Sequence, residues 1–153
     1  PRPAVDRSRR RDDVVTPVAG TTGTADLVVG EADTAAALGS GDLAVLGTPR
    51  LAALMEQAAC AAVAEALPPG ASTVGVHLDL HHLAASSVGA HMRAVATVRS
   101  VDGRRIRFDV VAEQVGDPGA PGMVVGSADH TRVVVDRARF LAGAHGPASS
   151  APR

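Results

Sequence analysis

A chain of 153 residues that is 46% hydrophobic is long enough to bury one substantial core and leaves little room for a second domain. With two Phe and neither Trp nor Tyr, it lacks the aromatic platforms on which single-stranded bases stack. A formal net charge of -1 supplies no basic field for nucleic acid or a membrane surface, and no apolar run reaches the length of a membrane span. No signal-peptide core is visible, and the lone cysteine, Cys60, excludes an intrachain disulfide, so a reducing, cytoplasmic setting is the expectation. All 15 cations are arginine, which with the abundance of Ala, Gly and Val indicates the coding bias of a GC-rich genome.

Residues 1–20 read as a disordered tail, because Arg7-Ser8-Arg9-Arg10-Arg11-Asp12-Asp13 is a charge block without periodicity. A single domain is expected over residues 21–143, followed by a flexible tail of small residues over 144–153. Residues 24–29 have strand character, 34–38 suit a short helix, and a loop over 39–42 leads to Leu43-Ala44-Val45-Leu46. A long helix then starts at Thr48, a good N-cap, with Pro49 at the first helical position. From Leu51 to Ala66 nearly every side chain is apolar or small, which predicts a helix enclosed on most of its circumference, with Cys60 an inert core residue. Glu56 shares its side with Ala52, Ala59, Cys60 and Val63, where a carboxylate loses water and is costly unless it is paired or does chemistry. Pro68-Pro69-Gly70 ends the helix.

The remainder is β, with strands expected over 72–83, 89–101, 104–114 and 123–135. Asp102-Gly103 signals a two-residue hairpin, and 116–122 is a Gly/Pro loop. In the first of these strands Val74, Val76, Leu78 and Leu80 alternate on one face with His82 next in the series, while Thr73, Gly75, His77, Asp79 and His81 fall on the other. The Val/Leu face is predicted to pack on the helix, which turns His82 inward, toward Glu56 or toward a partner subunit. One apolar helix followed by antiparallel strands is accommodated by an α+β hotdog fold, a curved antiparallel sheet wrapped around one long central helix. Such a sheet leaves an open edge that a second copy can cover, so a homodimer or higher homo-oligomer is expected.

An inward imidazole, a carboxylate and a hydroxyl at a helix start suit acyl transfer. The imidazole serves as general base near neutral pH, the carboxylate as base or nucleophile, and the first N–H groups of the helix can bind an oxyanion. His77, Asp79 and His81 alternate as zinc ligands on one strand face would, but they lie opposite the apolar row; a polar stripe is the expectation there and no metal is assigned. His91 and His130 are expected to be structural.

Several segments in this order carry a resemblance: Gly47-Thr48 with Leu54-Met55-Glu56; Gly75 with His82-Leu83-Ala84-Ala85-Ser86; Val101-Asp102-Gly103-Arg104-Arg105; and Gly126-Ser127-Ala128-Asp129-His130-Thr131-Arg132 with Val135-Asp136-Arg137. From about residue 23 to 142 the chain resembles the fluoroacetyl-CoA thioesterase-like family. The resemblance implies a dimeric hotdog enzyme that hydrolyses an acyl-CoA thioester, with no metal and no cofactor beyond the CoA of its substrate. It assigns the catalytic set to Thr48, Glu56 and His82, eight and then twenty-six residues apart, and a substrate-proximal position to Gly75. Arg50, Arg93, Arg104 and Arg105 are candidate contacts for the CoA phosphates. Where the fluoroacetate-specific member carries phenylalanines before the helix, this chain has Val28, Val29, Leu38, Leu43 and Val45. An entrance of Val and Leu fits small or branched acyl chains as well as longer ones; an acyl-CoA of small acyl group is favoured as substrate, and the alternative is a non-catalytic acyl-CoA-binding hotdog that acts as sensor or carrier.

Overall fold

The computed structural model describes residues 17–144. Of the tails expected over 1–20 and 144–153, residues 1–16 and 145–153 lie outside the described residues. Residues 17–20 lead directly into the sheet, where Gly20 N–H donates to the Val98 carbonyl at 2.8 Å.

The strands are β1 (Thr22–Val28), β2 (Ala71–His82), β3 (His91–Asp102), β4 (Arg105–Gln114) and β5 (Met123–Asp136), and the helices α1 (Ala35–Leu38), α2 (Thr48–Val63) and α3 (Arg137–Ala144). They form one antiparallel sheet of order β1-β3-β4-β5-β2, so β1 and β2 are its edges. α2 touches all five strands, which is the hotdog arrangement.

The local patterns explain this architecture. On β3 the alternate residues Met92, Ala94, Ala96 and Val98 are buried, and on β4 so are Ile106, Phe108, Val110 and Ala112, giving each strand one inner face. α2 meets that face with Leu51, Leu54, Met55, Ala58, Ala59, Ala62 and Val63, the spacing of a single helical stripe. Small residues bring the layers close. A Cβ on Gly23 of β1 would fall 2.2 Å from Ala62 N and 2.5 Å from Ala58 O, so only glycine lets the strand cross the helix there.

Four expectations are corrected. First, α2 is enclosed on one side only: Gln57, Cys60 and Ala61 are exposed, and Cys60 is not a core residue. An alanine-rich helix looks apolar all round, but the larger residues Leu51, Leu54, Met55 and Val63 choose the buried face. Second, the N-cap is Gly47, which has no side chain to cap with, and Thr48 is the first helical residue. Gly47 is anchored instead by its N–H, which donates to the Asp33 carbonyl at 2.9 Å. Third, Asp102 stays paired with Arg105, and the hairpin turn is Gly103-Arg104, with Gly103 at φ +58.

The fourth concerns β2. Its register against β5 passes from Gly75 opposite Arg132 to His77 opposite Thr131, so Val76 is bulged out and 51% exposed. The bulge inverts the parity. Thr73 and Gly75 face the helix side ahead of it, and Leu78, Leu80 and His82 after it, so Val74 and Val76 leave the inner row while His82 points inward as expected. α3 was not anticipated: it follows β5 directly and leaves Phe140 and Leu141 about half exposed.

Candidate active site

Because Gly47 caps α2 through its backbone, the Thr48 hydroxyl is not consumed at the helix end. It lies instead 2.8 Å from His82 Nδ1, joining the first residue of α2 to the last residue of β2. The other ring nitrogen, His82 Nε2, is buried and has no hydrogen-bond partner among the described residues. A buried polar atom left unpaired calls for a reason, and an acceptor or donor for a reacting group is one.

Glu56, two turns along α2, belongs to a second cluster. Its Oε2 accepts from Arg132 Nη1 at 2.8 Å and lies 3.9 Å from His130 Nε2. Arg132, on β5, donates from Nε to Thr73 Oγ1 at 2.9 Å and from Nη2 to the Thr73 carbonyl at 3.1 Å, and its Nη1 is 3.2 Å from His130 Nε2. His130 Nδ1–H donates to the His77 carbonyl at 2.8 Å, and the ring stacks on Phe108 with centroids 5.9 Å apart. Burial pushes the His130 imidazole below its ordinary value and the Arg132 charge lowers it further, against the opposing hydrogen bond to the His77 carbonyl and the charge of Glu56. Glu56 is thus not the buried carboxylate expected. Its side chain is 41% exposed, the open end of a network whose Arg132 and His130 side chains are 8% and 1% exposed. Gly75 keeps that end clear, since a Cβ there would sit 2.5 Å from Glu56 Oε2.

The structure therefore brings Thr48 to His82 and Glu56 to Gly75, but it leaves these two pairs apart within the chain. Eight helical residues separate Thr48 from Glu56, a rise of about 12 Å. Sequence reasoning took His130 as structural and assigned no role to Arg132 or Thr73. The available signal was parity on β5: Ala128, His130 and Arg132 share the inner face, and a charged residue at an inner position requires a counter-charge.

His81 Nε2 lies 3.4 Å from Asp79 Oδ1 on the exposed side of β2, and no grouping of three or more His, Cys, Asp or Glu suited to a metal occurs among the described residues. Two of the arginines considered for phosphate contact are already paired, Arg50 with Asp33 at 3.1 Å and Arg93 with Asp26 at 2.8 Å. No helix among the described residues is long and apolar enough to cross a membrane.

One helix held in a five-stranded antiparallel sheet, with its polar groups gathered on the β2 edge, defines a hotdog-fold protein. The fold matches that of the hot-dog-like protein from Thermanaerovibrio acidaminovorans at 24% identity and a TM-score of 0.73, over 91% of this chain and 96% of that one. The family profile described as fluoroacetyl-CoA-specific thioesterase matches residues 29–138, and the chain belongs to that family. The fluoroacetyl-CoA thioesterase of Streptantibioticus cattleyicolor is 34% identical over 98 residues, 64% of this chain and 66% of that protein. A solved structure of a fluoroacetyl-CoA thioesterase variant in complex with acetyl-CoA is 29% identical, with a TM-score of 0.75, over 85% of this chain and 99% of that one.

Proposed function

We propose that this protein hydrolyses acyl-CoA thioesters of small acyl group to the free acid and CoA, with Glu56, His82 and Thr48 as its catalytic set. The observation that carries the reading is the Thr48–His82 pair, in which His82 Nε2 is buried and unpartnered among the described residues, with Thr48 on the same helix as a carboxylate aimed past a glycine. Glu56 adds to the thioester carbonyl or removes a proton from the water that does. His82 delivers a proton to the departing CoA thiolate and accepts one from the hydrolytic water. If Glu56 adds directly, the product is a mixed anhydride that water then cleaves, which restores the carboxylate. Thr48 holds the imidazole in orientation, and the missing side chain at Gly75 admits the thioester carbonyl beside Glu56. This route needs no metal and no cofactor beyond the CoA of the substrate, and it suits the cytoplasm, where a reduced Cys60 is at home.

Assembly supports the same reading. β2 is a sheet edge, and an edge strand is a template for pairing with a second copy. Two β2 strands paired antiparallel about a dyad near Leu78 and Asp79 set Gly75 and Glu56 of one protomer opposite His82 of the partner subunit. A homodimer of this kind reunites the two pairs that one protomer holds apart.

The acyl group has an apolar rim beside Thr48. The segment from Val29 to Leu46 is stitched to residues 86–90 by Val29 N–H to the Ala90 carbonyl at 2.9 Å and Leu46 N–H to the Ser86 carbonyl at 2.8 Å. Around this seam Val28, Leu38, Leu43, Leu83 and Val88 are exposed. The acetyl-CoA complex of a family relative supports a small acyl chain.

The test is thiol release from a panel of acyl-CoA esters running from acetyl and fluoroacetyl to long chains. Turnover of the small esters is expected, with loss in Glu56→Ala. Glu56→Ala hydrolysing every accepted ester at the wild-type rate overturns the catalytic set, and binding without turnover makes the protein a sensor or carrier instead. Single-turnover incorporation of 18-O into Glu56 separates the covalent route from the water-mediated one.

A further inference from the structure

We infer that His130 is a positioning residue, which as a neutral imidazole protonated on Nδ1 acts through Arg132 to hold Glu56 in place beside Gly75. The inference rests on the reading of Glu56 given above.

The His130 side chain is 1% exposed, and both of its ring nitrogens are engaged. The His77 carbonyl can only accept, so the 2.8 Å contact places the ring proton on Nδ1. Nε2 is then a lone pair, and it faces Arg132 Nη1 at 3.2 Å. A guanidinium does not give up its protons, so Nη1 is the donor in that contact. The two hydrogens of Nη1 are divided between His130 Nε2 and Glu56 Oε2, while Nε and Nη2 both go to Thr73. Thr73 and His130 thereby clamp the guanidinium on two sides, and the remaining Nη1 hydrogen is directed at the carboxylate.

Protonating His130 breaks this arrangement. Nε2–H would meet Nη1–H, two donors 3.2 Å apart, with Glu56 Oε2 at 3.9 Å the nearest acceptor for the new proton. The carboxylate would be drawn toward the ring and off its line from Arg132. The groups that face His130 are Arg132 beside it on β5, Glu56 from α2 and the His77 imidazole from β2, and β4 contributes only the uncharged Phe108. A residue kept only for bulk would need neither the acceptor nor the tautomer.

The experiment combines imidazole nitrogen NMR on the wild-type protein with steady-state kinetics on an accepted acyl-CoA for His130→Gln, His130→Asn, His130→Leu and a Glu56→Gln control. The NMR is expected to show His130 protonated on Nδ1 and bare on Nε2. His130→Gln restores an acceptor near Nε2 and should keep kcat within about threefold, whereas His130→Leu and His130→Asn should lower kcat by about tenfold or more with KM nearly unchanged. A proton on Nε2, a wild-type kcat in His130→Leu, or an equal loss in folded His130→Gln would overturn the inference. If the leucine variant does not fold, His130→Asn, which keeps the bond to the His77 carbonyl, carries the kinetic comparison. An inactive Glu56→Gln beside an unaffected His130→Leu defeats this inference alone. A fully active Glu56→Gln defeats the reading of Glu56, and the positioning role with it.

Discussion

Thr48 Oγ1 lies 2.8 Å from His82 Nδ1, and the contact exists because a glycine, not the threonine, caps the helix. A threonine committed to its own helix end would point its oxygen at the amides of the first turn; at the first helical position it is free to meet a strand. Thr48→Ala removes that contact and is expected to lower kcat by about tenfold or more while changing stability by about 1 kcal/mol or less. Thr48→Ser keeps the oxygen and should recover most of the rate. Paired kinetic and urea-melt measurements check both, and equal rates for the two variants would remove Thr48 from the catalytic set.

Arg132 supplies the charge that faces Glu56 from a side chain only 8% exposed. Arg132→Met should deprive Glu56 of its partner and Thr73 of two donors. The expected outcome is a loss of about 1–3 kcal/mol in unfolding free energy, together with a fall in kcat larger than any rise in KM. Arg132→Lys keeps the charge but cannot reach Thr73, His130 and Glu56 at once, so it should stay impaired.

The separation of the two pairs predicts complementation. In the proposed homodimer, the Glu56→Gln and His82→Asn proteins should each be nearly inactive. After co-refolding at equal amounts, half the dimers are mixed and each mixed dimer holds one intact site, so about a quarter of the wild-type activity should return. A mixture that stays inactive would place all three residues of one site in a single protomer.

Two glycines should behave differently. At Gly75 a Cβ would press on the side-chain end of Glu56, 2.5 Å away, rather than on backbone, so Gly75→Ala should lose activity while melting close to the wild type. At Gly23 the Cβ would strike helix backbone, 2.2 Å from Ala62 N, so Gly23→Ala should cost about 1–3 kcal/mol or more. Calorimetry and thiol-release assays on the two proteins test the contrast.

A pH dependence follows from His130, whose pKa lies below the ordinary imidazole value of 6.5 in the folded protein. The unfolded chain then binds the proton more readily than the folded one. This contribution to stability is complete above 6.5 and is lost as pH falls below it toward the folded value. Melting temperature should therefore drop more steeply on acidification in the wild type than in His130→Gln, and parallel curves would count against a neutral buried His130.

What was legible in the chain was whatever is written in local period and in order. β3 and β4 alternate strictly, the heavy residues of α2 repeat at helical spacing, and the Pro68-Pro69-Gly70 stop separates helix from sheet, so the hotdog followed directly. The inward turn of His82 was equally readable. Glu56 itself was misjudged, because an alanine helix carries no strong sign of which side is covered.

Tertiary structure decided the rest, since each remaining feature depends on register between distant segments. The bulge at Val76 arises only when β2 is laid against β5, and it turns Gly75 to the helix. Arg132 reaches Glu56 from 76 residues away because pairing places it opposite that glycine. Composition and period determined that a carboxylate would ride on this helix. The long-range pairing of β5 with β2 determined what holds it, because a buried cation takes whichever acceptors the sheet register sets beside it.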